Sequence, residues 1–105
     1  MKIQVRATAL SALSGHPQPL QSAAWAKIKG EHGWSAHPFS ISFEAREYPL
    51  LVLSRRLFGP YRLAYIPLGP DPSLVASLED ILVALREHLD SRVFSIRVDL
   101  PFGSP

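Results

Sequence analysis

Leu50-Leu51-Val52-Leu53 limits what this chain can fold into more than any other feature. The stretch sits inside Tyr48 to Leu57, and successive side chains of a strand point to opposite faces. Four apolar residues in a row therefore imply burial on both faces of a sheet. Upstream, Phe39, Ile41 and Phe43 alternate with Ser40, Ser42 and Glu44, the period of a half-buried strand. Glu44 to Glu47 is a polar turn between these two strands. Downstream, Phe58-Gly59-Pro60-Tyr61 is a turn into a third strand, Arg62 to Pro67. Short loops of this kind join neighbours into an antiparallel meander.

Beyond the meander the period changes. Gly69-Pro70-Asp71-Pro72 breaks the sheet pattern, and Ser73 is placed to cap a helix by accepting a bond from an orphan N–H. Leu74, Leu78, Ile81, Leu82, Leu85 and Leu89 form a wide apolar stripe, with Glu79, Asp80, Arg86 and Glu87 mostly off it. Phe94, Ile96, Val98 and Leu100 then alternate as a final strand. A strand, helix, strand order predicts a crossover that lays this strand parallel to an earlier one. Near the start, Ile3, Val5 and Ala7 predict a short opening strand, and Ser11 to Gln21 an irregular connection broken by Gly15, Pro17 and Pro19. A shorter helix is predicted over Ala23 to His32, capped by Ser22 and stopped by Gly33. Its packed side would carry Ala24, Trp25 and Ile28.

A length of 105 residues, 47% of them hydrophobic and 19% charged, fits one globular domain over 1–105. Residues 1–20 read as the leading strand and irregular loop, and 101–105 as a flexible tail. The absence of cysteine removes disulfides, thiolate catalysis and Cys-based zinc sites, and fits a cytoplasmic protein. No apolar run follows Lys2 and Arg6, so no signal peptide is expected, and no run is long enough to span a membrane. The net charge of +2 comes with scattered basic residues, Arg55-Arg56 being the only adjacent pair, which argues against DNA as a partner.

Three stretches resemble one family in order and spacing. Gln21-Ser22-Ala23-Ala24-Trp25-Ala26-Lys27-Ile28-Lys29 with Gly33-Trp34 is similar to a Q-S-x-x-W-x-x-x-K…G-W opening. Leu63 to Pro70 is similar to L-A-Y-x-P-x-G-P, and Phe94 to Pro101 to a strand carrying an arginine and an aspartate, here Arg97 and Asp99, before a proline. The family is that of the Fem-type (FemABX) peptidoglycan-bridge aminoacyltransferases. The resemblance implies an α/β (α+β), partial GNAT-like fold: an antiparallel meander plus one parallel strand, with two packed helices. It also implies transfer of an amino acid from aminoacyl-tRNA to a peptidoglycan precursor, either UDP-linked muropeptide or its lipid-linked form. The chain would supply the N-terminal, substrate-side part of the first of two GNAT-like domains. It lacks the donor-binding half and is expected to be inactive alone.

By this resemblance Lys29 matches a lysine that contacts the precursor diphosphate, a role suited to a compact ammonium. The plainer reading is a solvated helix lysine beside Lys27. Trp25 could stack on a uracil or sugar, or simply fill the core, and the same holds for Trp34. Tyr65, followed by Gly69-Pro70, sits where a strand exits toward a helix, a common place for ligand grooves, though Gly-Pro there is first of all a turn. Lys29, Tyr65 and Trp25 are the candidate substrate-binding residues.

No catalytic residue, metal site or cofactor is expected. His16, His32, His37 and His88 are scattered through the predicted elements with no i, i+4 pairing, and Glu79-Asp80 are side by side on a helix. Arg56 to Tyr61 superficially resembles an acetyl-CoA pyrophosphate loop, but Pro60 has no N–H and the segment joins two strands. An alternative function is a non-catalytic binding or dimerisation module, in which the exposed last strand pairs with a second copy or another polypeptide.

Overall fold

The computed structural model describes residues 3–100, so Lys2 and the tail at 101–105 lie outside the described residues. A five-stranded mixed sheet in the order β1-β2-β3-β4-β5 organises the chain. The strands are β1 (Gln4–Ala7), β2 (Ser35–Phe43), β3 (Arg46–Phe58), β4 (Tyr61–Ile66) and β5 (Val93–Val98). The first four pair antiparallel and β5 pairs parallel to β4, as the helix between them requires. The helices are α1 (Ala23–Gly30) and α2 (Leu78–His88). The fold is therefore α+β: a meander, one parallel strand and two packed helices.

The continuous apolar run of β3 is buried on both sides. Leu50 and Val52 join Val5, Phe39, Ile41, Ala64 and Ile66 beneath Leu74, Ile81, Leu85 and Leu89 of the α2 region. Leu51 and Leu53 face the other way and pack with Leu13 and Ala26. Each fully buried leucine or isoleucine contributes on the order of 1.5–3 kcal/mol of transfer free energy. The His88 ring donates from Nε2 to the Val5 carbonyl at 2.8 Å, tying the end of α2 to the first strand.

Several local expectations are corrected. The connection after β1 is not simply irregular: Leu10–Leu13 and Pro19–Gln21 are 3-10 turns, and the first of them delivers the fully buried Leu13. The first helix ends at Gly30 rather than His32, although Gly33 (φ +89) supplies the left-handed stop and lets the Trp34 N–H reach the Lys29 carbonyl at 3.1 Å. Ala26 faces the sheet, whereas Ala24 is exposed and Ile28 is 44% exposed. A small residue faces in because the helix lies close to the sheet.

The cap of the second helical segment is Asp71, not Ser73. The Asp71 carboxylate accepts from the Ser73 N–H at 3.0 Å and opens a 3-10 turn over Pro72–Ser77 that runs into α2. Phe94 is 50% exposed instead of inward, because a register shift between Arg62 and Leu63 leaves it unpaired while Val93 turns into the core.

The pairing of β3 with β4 ends at Leu53↔Tyr65. Pro67 has no N–H with which to continue the ladder. The buried Gln21 side chain fills this place: its Nε2 donates to the Pro67 carbonyl at 2.7 Å and the Leu51 carbonyl at 3.2 Å, while its Oε1 accepts from the Leu51 N–H at 2.7 Å. A side chain on Gly69 would press on this amide, since a Cβ there would lie 3.1 Å from Gln21 Nε2.

Candidate functional site

On the face carrying Leu51 and Leu53, α1 and the first 3-10 turn cover one part of the sheet and leave the rest open. Alternation continues along β3 from Leu53 to Arg55, and the cross-strand partners Leu53↔Tyr65 and Arg55↔Leu63 extend the same face onto β4. Tyr65↔Arg97 extends it onto β5. The result is a groove of about 430 Å³ lined by Trp34, Arg55, Leu57, Leu63, Tyr65 and Arg97.

Trp34 is the hub of this groove. Its ring lies 6.1 Å from that of Tyr65, centroid to centroid. The Arg55 guanidinium stands 5.4 Å from the same ring and the Lys29 ammonium 5.6 Å from it. Lys29 also lies 5.1 Å from the Trp25 ring. Lys29 is therefore half-buried against two indoles and makes no ion pair among the described residues. Such cation–π contacts hold the ammonium in place at about 0.5–2 kcal/mol each and leave its N–H donors available.

Tyr65 is fixed from the other side. Its hydroxyl donates to the Asp99 carboxylate, while the Asp99 carbonyl accepts from the Gly69 N–H at 3.0 Å. Burial and then Asp99 push the phenol up to about 12, so it remains a donor at neutral pH. Trp25 packs half-buried against Leu13, Ala26, Leu51 and Leu53, the core placement weighed for it. Its indole N–H is buried without an acceptor among the described residues.

All three sequence candidates thus lie around Trp34, but of them Tyr65 alone is in the groove lining, and Lys29 and Trp25 are outside it. Sequence reasoning missed Arg55 and Arg97 as site residues. Arg55-Arg56 was legible as a basic pair, and strand alternation puts only Arg55 on the Leu51–Leu53 face. The three family-like stretches also meet one another: Gln21 bonds to Pro67 beside Gly69, Trp34 lies by Tyr65, and Tyr65 bonds to Asp99.

Among the described residues, no group of three His, Asp or Glu side chains could hold a metal, and no helix is long and apolar enough to cross a membrane. Arg56 to Tyr61 joins β3 to β4 and opens no helix.

The fold is a mixed α+β one, a five-stranded sheet covered unevenly on one face. That fold is found in a crystal structure of FemX, which this chain resembles with a TM-score of 0.71 at 22% sequence identity over 91% of its length. The chain spans 27% of the FemX chain. No family model and no curated protein matches it.

Proposed function

We propose that this chain is the acceptor-side part of a Fem-like aminoacyltransferase and binds a peptidoglycan precursor in the Trp34–Tyr65 groove. The observation that carries the reading is spatial. Three stretches that resemble the family, far apart in sequence, converge on one groove in a fold shared with FemX. The groove offers an aromatic wall and the cations Arg55 and Arg97, with Lys29 beside Trp34 just outside the lining, and the carboxylate of Asp99 already accepts from Tyr65. Aromatic faces beside fixed cations suit a ligand with a flat ring joined to phosphates. UDP-linked muropeptide has that chemistry. In this reading Lys29 and Arg55 attract the diphosphate, Trp34 and Tyr65 flank the ring or sugar, and Trp25 supports Lys29.

The donor, aminoacyl-tRNA, would be bound by polypeptide corresponding to the rest of FemX, and the setting would be the cytoplasm, where such precursors are made. Calorimetric titration of the chain with UDP-linked muropeptide tests the acceptor role. Lys29→Ala should weaken binding about tenfold, the worth of one charge-assisted contact. Unchanged affinity in the variant removes Lys29 from the site.

A second reading is supported by β5, whose outer edge has no partner strand among the described residues. Such an edge could pair with a second copy or another polypeptide. Sedimentation distinguishes this: a chain that stays monomeric at high concentration has no self-pairing edge.

A further inference from the structure

The opposite face of the sheet, at the β3–β4 hairpin end, holds a second cavity of about 380 Å³ lined by Arg56, Gly59, Pro60, Arg62 and Arg92. Its composition is electrostatically unfavourable in isolation. Arg56 and Arg62 are direct cross-strand partners, and like charges in that position destabilise a sheet. Arg92 joins them through the backbone, its carbonyl accepting from the Arg62 N–H at 3.0 Å. Among the described residues the carboxylate that pairs with any of them is Asp90, chelated by Arg92 at 2.9 and 2.6 Å. Three guanidiniums against one carboxylate leave an excess of two positive charges.

All three arginines are held by one edge and free at another. Arg56 donates from Nε to the Gly59 carbonyl at 2.9 Å, and Arg62 from Nη2 to the Ser54 hydroxyl at 3.1 Å. Ser54 is buried and is held in turn by the His37 ring, whose Nε2 lies 2.8 Å from its oxygen. Burial and then Arg62 push His37 below the usual imidazole range, so it stays a neutral partner and the chain of contacts persists at neutral pH. A guanidinium has five N–H donors in a planar fork, so each arginine keeps donors for a ligand. Holding them beforehand reduces the ordering cost of binding.

We propose that Arg56, Arg62 and Arg92 form a binding site for a phosphate group, separate from the groove and on the other face of the sheet. A dianionic phosphate matches the charge excess, and its oxygens accept from several forks at once. The group could be free phosphate or the monoester of a small metabolite.

The test follows the arginine side-chain N–H signals by NMR while inorganic phosphate, ribose 5-phosphate or sodium chloride is added at matched ionic strength. Saturable shifts at Arg56, Arg62 and Arg92 with either phosphate but not chloride are expected, and the tighter of the two names the source. Arg56→Gln and Arg92→Gln, both at exposed positions, should each weaken binding about tenfold. Arg62→Gln is less suitable because Arg62 also holds the buried Ser54. Absence of saturation at tens of millimolar, equal shifts with chloride, or full binding in both variants would overturn the proposal.

Discussion

Replacing Gln21 by leucine keeps most of the side-chain volume and removes every polar contact this residue makes. Three buried backbone groups lose their partner: the Leu51 N–H, the Leu51 carbonyl and the Pro67 carbonyl. An unsatisfied buried group costs about 1–3 kcal/mol. Because the three sit together and share one relaxation, the lower end applies, giving about 3–4 kcal/mol. A domain of this size has only about 5–15 kcal/mol to lose, so the midpoint of thermal unfolding should fall by about 12–30 °C. Leucine fills the site, which denies water the space it would need to re-bond these groups. Gln21→Glu is a second arm. An ionised carboxylate can accept from Leu51 N–H but cannot donate to either carbonyl, so this variant should regain stability as pH falls and the acid becomes a donor. Calorimetry and urea unfolding give the free energies. A Gln21→Leu protein within about 1 kcal/mol of the parent would refute the role assigned to this residue.

Other expectations concern titration. Glu47 accepts from Ser40, Ser42 and Arg6, and the two serines first and Arg6 after them hold its carboxyl down to about 2. A depressed acid stabilises the fold above its unfolded value near 4.5 and loses that contribution as pH falls toward 2. The parent should therefore lose stability over that window more steeply than Glu47→Gln, as read from melting temperature against pH. Tyr65 has the opposite sign: with its phenol pushed up from 10.0 to about 12, stability is retained below 10 and lost as pH rises through that interval. Tyrosinate absorbance should show a late-titrating phenol that is absent in Tyr65→Phe.

The meander was legible because period-two alternation in β2 and the double burial of Leu50 to Leu53 are both strong local signals. The parallel placement of β5 followed from the helix preceding it. Phe94 was misplaced because a register shift is set by the pairing with Arg62 and Leu63, not by the local pattern. Helix α1 was misread because its inward residue, Ala26, is small, while the larger Ile28 is left in solvent; proximity to the sheet outweighed hydrophobicity. Asp71 replaced Ser73 as cap because Pro72 opens a 3-10 turn two residues earlier. Lys29, Trp25 and Tyr65 were visible through the resemblance, but Arg55 needed the strand register and Gln21 needed the end of the β3–β4 ladder.

The chain has two tryptophans, so its indole N–H spectrum carries one signal for Trp25 and one for Trp34. Following both signals while UDP-linked muropeptide is added reads the groove directly. Saturable movement, largest at Trp34 and abolished together with binding in an Arg55→Ala, Lys29→Ala double variant, is expected. Saturation of the chain with both indole signals unmoved would place the ligand elsewhere and contradict the assignment of this groove.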